Sequence, residues 1–303
     1  MNLESLRDLW LTYQSAVGFI GINGLLALSV YATLSCGQLS LANAGFMAIG
    51  AYAAALLTVH RPGIPFPLVL AAGAVAPALV ALPLGLPVLR LRGVFLAIAT
   101  IGLGEVVRLG FVNWDYTNGA LGLVGIPQRA GLIAIYLCLA LAVFVFSRIR
   151  GSKTGYALES IRQDEPAART MGIHTTAHKL SMFVLGAALA GLAGGLEAHV
   201  TFMVAPNGFG FGRVVDMLVF AVVGGISHVF GPVLGATFLT LLPELLRELS
   251  RLTGLQPGPL RLFFNGLVLL LVIIFLPNGL VSLPARVREW RVERRARGAA
   301  LGR

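Results

Sequence analysis

The sequence predicts an all-α, polytopic membrane protein with about nine transmembrane helices (8–10), some of them broken or re-entrant. Composition is the first indication. Of the 303 residues, 57% are hydrophobic and only 12% are charged, whereas a soluble domain carries about 25% charged residues. The second indication is that the apolar residues form long runs, many of them near the roughly 20 residues that a helix needs to cross a bilayer. The 37 glycines suit the close packing of helices in a membrane.

The apolar runs give the predicted crossings in chain order. Six of them are well separated and lie at 16–36, 41–59, 66–89, 94–112, 130–147 and 180–203. The seventh and eighth, at 214–227 and 229–246, are short, and we expect re-entrant segments there. The sequence Gly224 to Pro232 between them fits either a tight hairpin or a break in one long element. The ninth run lies at 260–280.

Basic residues predict the orientation, because loops on the cytoplasmic side carry an excess of Lys and Arg. If the polar segment 148–179 is cytoplasmic, alternation places fifteen of these residues inside and seven outside. The prediction is a multi-pass protein of the bacterial inner membrane with a periplasmic N-terminus and a cytoplasmic C-terminus. One miscounted crossing within 214–246 would reverse one end. Residues 1–283 form one transmembrane domain, and 284–303 form a basic cytoplasmic tail that anionic lipid attracts.

The segment 148–179 is the longest polar stretch between apolar runs, and its centre predicts one very short helix. Asp164 suits the N-cap and Pro166 the first turn. Arg169 suits the C-terminus of the helix, where the helix dipole is negative, and Gly172 can adopt the left-handed conformation that ends a helix. Because about seven residues cannot hold a helix alone in water, this helix must pack against its own domain or a partner. Ala167 and Ala168 leave its middle bare, which permits close approach.

Signatures of an enzyme are missing from the sequence. The Asp and Glu residues lie mostly in loops or near helix ends, and no nucleophile, base or metal-ligand cluster stands out. Residues 151–154, GSKT, lack the first Gly and the G-K-[ST] order of a phosphate-binding loop. We therefore predict that the chain is not an enzyme and binds no nucleotide, metal or other cofactor itself.

A few polar residues within or beside apolar runs are candidates for a translocation path or vestibule. Glu105 and Arg108 are three residues apart on the fourth run, so they share a helix face. They could meet the two charges of an amino acid, or simply pair or snorkel near the helix end. Gln38, Ser40 and Asn43 interrupt the boundary of the first two runs, and Asn118 begins an outer loop with turn chemistry. Helix packing explains these interruptions equally well.

Five motifs in order resemble those of one family, the LivM-type inner-membrane permease of binding-protein-dependent branched-chain amino acid ABC importers. The similar segments run from about Asn23 to Ser282 and are GQLSLANAGFMAIGAYAAALL (37–57), TNGALGLVGIP (117–127), ALESIRQDEPAARTMGI (157–173), FAVVGGISHVFGPVLGA (220–236) and FLPNGLVS (275–282). The resemblance implies a permease that imports Leu, Ile or Val by alternating access. Family relatives that carry urea or short amides keep the solute open, and an ion-coupled secondary transporter is the alternative from another class.

The resemblance also implies partners and a coupling site. Two ATPase subunits carrying ATP and Mg, a second permease chain that is identical or related, and a periplasmic solute-binding protein would complete the importer. Glu165, Ala167, Ala168 and Gly172 match the Glu-x-Ala-Ala-x3-Gly pattern that enters a cleft on the ATPase. Asp164, Arg169 and Ile173 complete the predicted ATPase-coupling set, and 148–179 is the cytoplasmic coupling loop of the permease domain.

Overall fold

The computed structural model describes residues 3–253, 266–267, 270 and 279–282, and it is built almost entirely of helices. The helices are α1 (Leu3–Leu34), α2 (Asn43–His60), α3 (Phe66–Val88), α4 (Val94–Val112), α5 (Leu132–Arg150), α6 (Lys153–Gln163), α7 (Glu165–Thr170), α8 (Thr175–Thr201), α9 (Phe211–Gly224) and α10 (Phe230–Thr253). Two very short strands, β1 (Leu123–Val124) and β2 (Met203–Val204), pair antiparallel.

Six helices are long and apolar enough to cross a membrane: Gln14–Leu34 within α1, then α2, α3, α4, α5 and α8. They coincide with the first six predicted crossings, which are therefore confirmed as helices. The nine-helix count is not confirmed. The ninth run, apart from 266–267, 270 and 279–280, and the basic tail 284–303 lie outside the described residues.

The region of the seventh and eighth predicted crossings consists of two distinct helices joined by a sharp turn. α9 has 14 residues, which at about 1.5 Å each gives roughly 21 Å, less than the hydrocarbon core of about 30 Å. The apolar part of α10, Phe230–Pro243, is equally short. Gly225 turns the chain between them at φ 96°. The hairpin interpretation is therefore confirmed, and the reading as one long broken element is wrong.

Glycines bring the backbones of α2, α3 and α8 into contact at the centre of the bundle. A Cβ added to Gly50 would overlap the backbone of Gly191, and one added to Gly191 would overlap Pro77 and the carbonyl of Gly73. Without a hydrophobic driving force between helices in lipid, such close approach supplies the van der Waals contact that holds them. Apolar side chains on α3, α4 and α5 point away from this core, as with Leu79, Phe95 and Ile133.

Contacts near the helix ends show that the six long helices alternate in direction. At one end, which we call the α7 end, Gly37 lies against Arg162 and Gly85 against Leu180. At the opposite end, Arg129 donates to the carbonyl of Ile64 at 2.9 Å, and β1 pairs with β2. The segments 35–42, 89–93 and 151–174 therefore lie together, apart from 61–65, 113–131 and 202–210, as strict alternation predicts.

Candidate docking helix and translocation path

α7 has the local structure that its sequence predicts. The Asp164 side chain accepts a hydrogen bond from the Ala167 N–H at 3.0 Å, which satisfies a donor that the first turn leaves free. At the other end Gly172 has φ 81°, and the Ile173 N–H reaches back to the carbonyl of Ala168 at 3.1 Å. The helix spans the six residues Glu165–Thr170, one fewer than the roughly seven expected from the sequence.

Glu165 fastens α7 to the base of α8. Its carboxylate lies 2.8 Å from the Arg169 guanidinium and 2.7 Å from the Lys179 ammonium, and its side chain is only 16% exposed. Partial burial acts to raise the pKa of Glu165, but the hydrogen bonds and charges of Lys179 and Arg169 outweigh it, so the pKa lies below its ordinary value. Arg169 also donates to the Thr175 hydroxyl at 2.9 Å. No local sequence pattern indicated the Lys179 contact.

The two alanines of α7 face opposite ways. Ala168 is buried against the protein, whereas Ala167 is exposed, so only Ala167 leaves a bare surface for another molecule. The prediction that both alanines open the middle of the helix is therefore wrong for Ala168. Met171 is 84% exposed just beyond the helix, and a side chain at Gly172 would meet open space. A groove of about 600 Å³ between α3 and the start of α8 runs alongside Gly172 and Ile173.

Sequence reasoning missed α6, a separate helix between α5 and α7. Leu158 and Ile161 bury one side of it, and their spacing of three residues was a signal available in the sequence. Arg162 near its end packs directly against Gly37, whose φ is 73° and whose missing side chain leaves room for the Arg162 backbone. α6 therefore connects the docking helix to the break between α1 and α2.

The predicted path residues at that break are buried. Gln38, Ser40 and Asn43 are each at most 3% exposed. The Asn43 amide donates to the Ser29 hydroxyl at 2.9 Å, and the Leu41 N–H donates to the Thr100 hydroxyl at 2.9 Å. These bonds tie α1, α2 and α4 together through a non-helical segment. In this structure the three residues are therefore buried where these helices meet.

Glu105 and Arg108 do form the predicted pair, at 2.7 Å, about one-third or less exposed. Arg108 also reaches the Asn207 side chain at 3.4 Å, which joins α4 to the loop before α9. A second ion pair, between Glu197 of α8 and Arg213 of α9, was not predicted because its partners are distant in sequence.

Asn118 lies in the loop between α4 and α5, exposed and in the left-handed conformation at φ 58° between two short 3-10 turns. The predicted path residues are spread along the bundle. Gln38 lies near the α7 end, where Gly37 meets Arg162, and Asn118 lies in a loop at the opposite end. Asn43 and Glu105 lie between them at similar depth, since Gly45 packs against Gly104. Within the described residues no group of three or more His, Cys, Asp and Glu is placed to hold a metal ion.

Six apolar helices of spanning length, with a short capped helix at one end of their bundle, define a polytopic membrane protein. Its family is shown by comparison. The profile of the family described as branched-chain amino acid transport system / permease component matches residues 13–273, and the chain belongs to that family.

The curated relatives are also permeases. The chain is 34% identical over 293 residues to the high-affinity branched-chain amino acid transport system permease protein LivM of Salmonella typhimurium, covering 85% of this chain and 67% of the relative. The LivM protein of Escherichia coli matches to the same extent. The autoinducer 2 import system permease protein LsrC of Escherichia coli is 29% identical over 197 residues, covering 62% of this chain and 56% of the relative. No solved structure matches.

Proposed function

We propose that this chain is the membrane-spanning subunit of an ATP-driven importer for the branched-chain amino acids Leu, Ile and Val. The observation that carries the proposal is α7, a short helix fixed at both ends and held by a partly buried ion pair, yet exposed along Ala167 and Met171. A helix of six residues is not stable alone in water, so an exposed one that the fold holds in place is suited to binding a partner. The family and the LivM relatives support the amino acid substrate.

The partner that grips α7 is, on this proposal, one of two ATPase subunits that carry ATP and Mg. A second permease chain and a periplasmic solute-binding protein complete the importer. The α7 end is then cytoplasmic, which agrees with the excess of Lys and Arg in 148–179. The same proposal places the chain in the bacterial inner membrane, with a periplasmic N-terminus and a cytoplasmic C-terminus.

The docking surface comprises Ala167, Gly172 and Ile173, which leave space for a cleft to close around the helix. Four other residues of the predicted coupling set hold the helix in place: Asp164, Glu165, Ala168 and Arg169. Asp164 caps the helix, Glu165 and Arg169 bind it to α8, and Ala168 packs it against the domain. Gly172 permits the left-handed turn that brings Ile173 back across the helix end.

Two contacts transmit motion from α7 into the bundle. Glu165 pulls on Lys179 at the base of α8, and α6 moves the break between α1 and α2 through the contact of Arg162 with Gly37. The buried polar residues of that break exchange partners when α1, α2 and α4 shift, because Asn43 and Thr100 supply side-chain bonds across helices. This gives the two-state element that alternating access requires.

Next to the loop before α9, Glu105 and Arg108 close one side of the proposed vestibule. Because they are already paired at 2.7 Å, a zwitterionic solute must compete with that pair for its carboxylate and ammonium contacts. We expect the pair and its link to Asn207 to open when the periplasmic side opens. Asn118 shapes the loop beside this entrance.

Reconstituted transport tests the proposal. The chain is copurified with its ATPase, permease and binding-protein partners, placed in proteoliposomes, and assayed with labelled Leu, Ile, Val, urea and acetamide. We expect ATP-dependent uptake of the three amino acids only. Uptake of urea or acetamide alone would overturn the substrate, and uptake driven by an ion gradient without ATP would overturn the mechanism.

A further inference from the structure

A second cavity lies at the α7 end, on the side of α6 that faces α1 and α5. Its volume is about 350 Å³, within the roughly 300–1,000 Å³ typical of sites for small molecules. The end of α1, the end of α5, one face of α6 and the turn between α9 and α10 form its walls. None of its lining residues belongs to α7 or to the groove beside Gly172, so it is distinct from the docking surface.

Charges of both signs converge in this cavity. Arg150 at the end of α5 and Arg162 and Glu159 on α6 all line it, together with the side chain of Tyr31. Glu159 lies 3.4 Å from Arg162 and accepts a hydrogen bond from the Gln163 amide at 3.3 Å, and it is half exposed, so both contacts are long and open to water. Arg150 makes no ion pair in the described part of the chain. The same cavity thus offers a guanidinium and a half-exposed carboxylate.

The remaining wall is apolar and rigid. Phe146 is buried and meets the Tyr31 ring edge to face at a centroid distance of 5.6 Å, which fixes both rings. Met182 of α8 and Ile226 of the turn between α9 and α10 extend this wall. The turn contributes Ser227 as well, so one small ligand would touch α6 and the α9–α10 hairpin together.

We propose that this cavity binds a free aliphatic α-amino acid from the cytoplasm and thereby senses the imported product. The ligand's carboxylate lies on Arg150, its ammonium on Glu159, and its side chain on Phe146 and Ile226. The identity of the ligand rests on the proposed function, while the site itself is a separate one. Because the cavity carries guanidinium groups and a carboxylate together, it can meet both charges of a zwitterion.

On this proposal bound product slows transport because it couples α6 to the α9–α10 hairpin. α6 leads to the docking helix, and the α9–α10 hairpin packs on α1 through the hydrogen bond from Asn23 to Thr240 at 2.9 Å. A ligand bridging α6 and the hairpin would favour one conformation over the other by its differential affinity. The consequence is inhibition of import by accumulated amino acid.

Binding is tested by titration calorimetry on the complex of this chain with its permease and ATPase partners, without binding protein, in nanodiscs of neutral lipid. L-leucine should bind, and leucinamide or 4-methylpentanoate, which each lack one charge, should bind about tenfold more weakly or worse. Arg150→Gln and Glu159→Gln should weaken leucine by a similar factor. Arg148→Gln is the matched control, since Arg148 lies over the Phe144 ring and outside the cavity.

The transport assay uses proteoliposomes in which the leucine concentration on the ATPase side is varied, and each variant is normalised to its own rate without that leucine. The wild type and Arg148→Gln should slow as leucine rises, and Arg150→Gln and Glu159→Gln should not. Equal inhibition of all four overturns the inference. So does competition of anionic lipid with leucine for the cavity, which would make it a lipid site. Absence of wild-type uptake would instead overturn the proposed function, so the assay separates a failure of the proposed function from a failure of the inhibition by leucine.

Discussion

The anchoring of α7 by Glu165 gives the sharpest quantitative prediction. Replacing Glu165 with Gln removes the charge that lies 2.7 Å from Lys179 and 2.8 Å from Arg169 while keeping the size of the side chain. Lys179 is 12% and Glu165 16% exposed, so their pair is better shielded than a surface ion pair. The Asp164 cap and the Gly172 stop are untouched. The variant therefore isolates the electrostatic hold on the docking helix.

The expected magnitude lies between two known limits. Exposed ion pairs contribute about 0.2–1 kcal/mol, and breaking a fully buried pair costs about 3–5 kcal/mol. A partly buried pair, in which Gln still offers one acceptor, should lose about 1–2 kcal/mol of local stability. Since about 1.4 kcal/mol is a factor of ten, the amide protons of α7 should exchange roughly 5–30 times faster.

Hydrogen–deuterium exchange of the 164–173 segment in nanodiscs measures this opening. The matched control is Glu159→Gln, which also removes a Glu that pairs with Arg, here Arg162 at 3.4 Å, but from a half-exposed position. We expect the control to change exchange in α7 by less than about twofold. Equal acceleration by both variants, or none with Glu165→Gln, would refute the view that Glu165 holds the helix.

Three further predictions concern backbone geometry and pH. Gly172→Val should lower the stability of the turn after α7 by about 1–2 kcal/mol and abolish ATPase-coupled transport, with the fold retained. Gly63→Val, at a position without positive φ or close neighbours, should leave transport intact. Normal coupling in the Gly172 variant would contradict the docking role. Gly191→Ala should lower stability to heating in detergent by about 1–3 kcal/mol and Gly102→Ala should not; equal melting would contradict close backbone contact. Because the pKa of Glu165 is lowered in the folded protein, the stability that this carboxylate contributes is complete above its ordinary pKa of 4.5. That stability is lost as the pH falls below 4.5 through the folded pKa. Amide exchange in α7, corrected for intrinsic rates, should therefore rise in this acidic range in the wild type but not in Glu165→Gln.

Local features of this protein could be predicted from sequence. Helices α1 to α5 and α8 follow from the length of their apolar runs, and α7 follows from Asp164 and Gly172, whose roles depend on neighbours within a few residues. The pairing of Glu105 with Arg108 follows from helix geometry alone. Each of these depends on periodicity or capping and hardly at all on the rest of the fold.

Contacts between distant residues could not be predicted in the same way. The pairs Glu165 with Lys179 and Glu197 with Arg213 join different helices, and nothing in their spacing identifies the partner. The close backbone contact between Gly50 and Gly191 can be predicted only when the crossing of α2 and α8 is known.

Packing also determines which of the candidate path residues lie near one another, and the sequence alone does not. Gln38 is polar and lies near a glycine in the sequence, yet it faces a helix contact at the α7 end. Glu105 joins the loop before α9 through Arg108 and Asn207. Composition marks such residues as unusual for a membrane helix, but only packing decides which of them share a site.

Cross-linking tests the central claim, that α7 meets an ATPase subunit on the cytoplasmic side, most directly. Met171→Cys and Leu121→Cys place thiols at positions that are 84% and 82% exposed at opposite ends of the bundle, in a background with Cys138→Ser. In the assembled importer, a short cross-linker with one maleimide and one amine-reactive ester should join the thiol at position 171 to a lysine of an ATPase subunit and leave position 121 unlinked to that subunit. An ATPase adduct from position 121, or none from 171, would contradict the account.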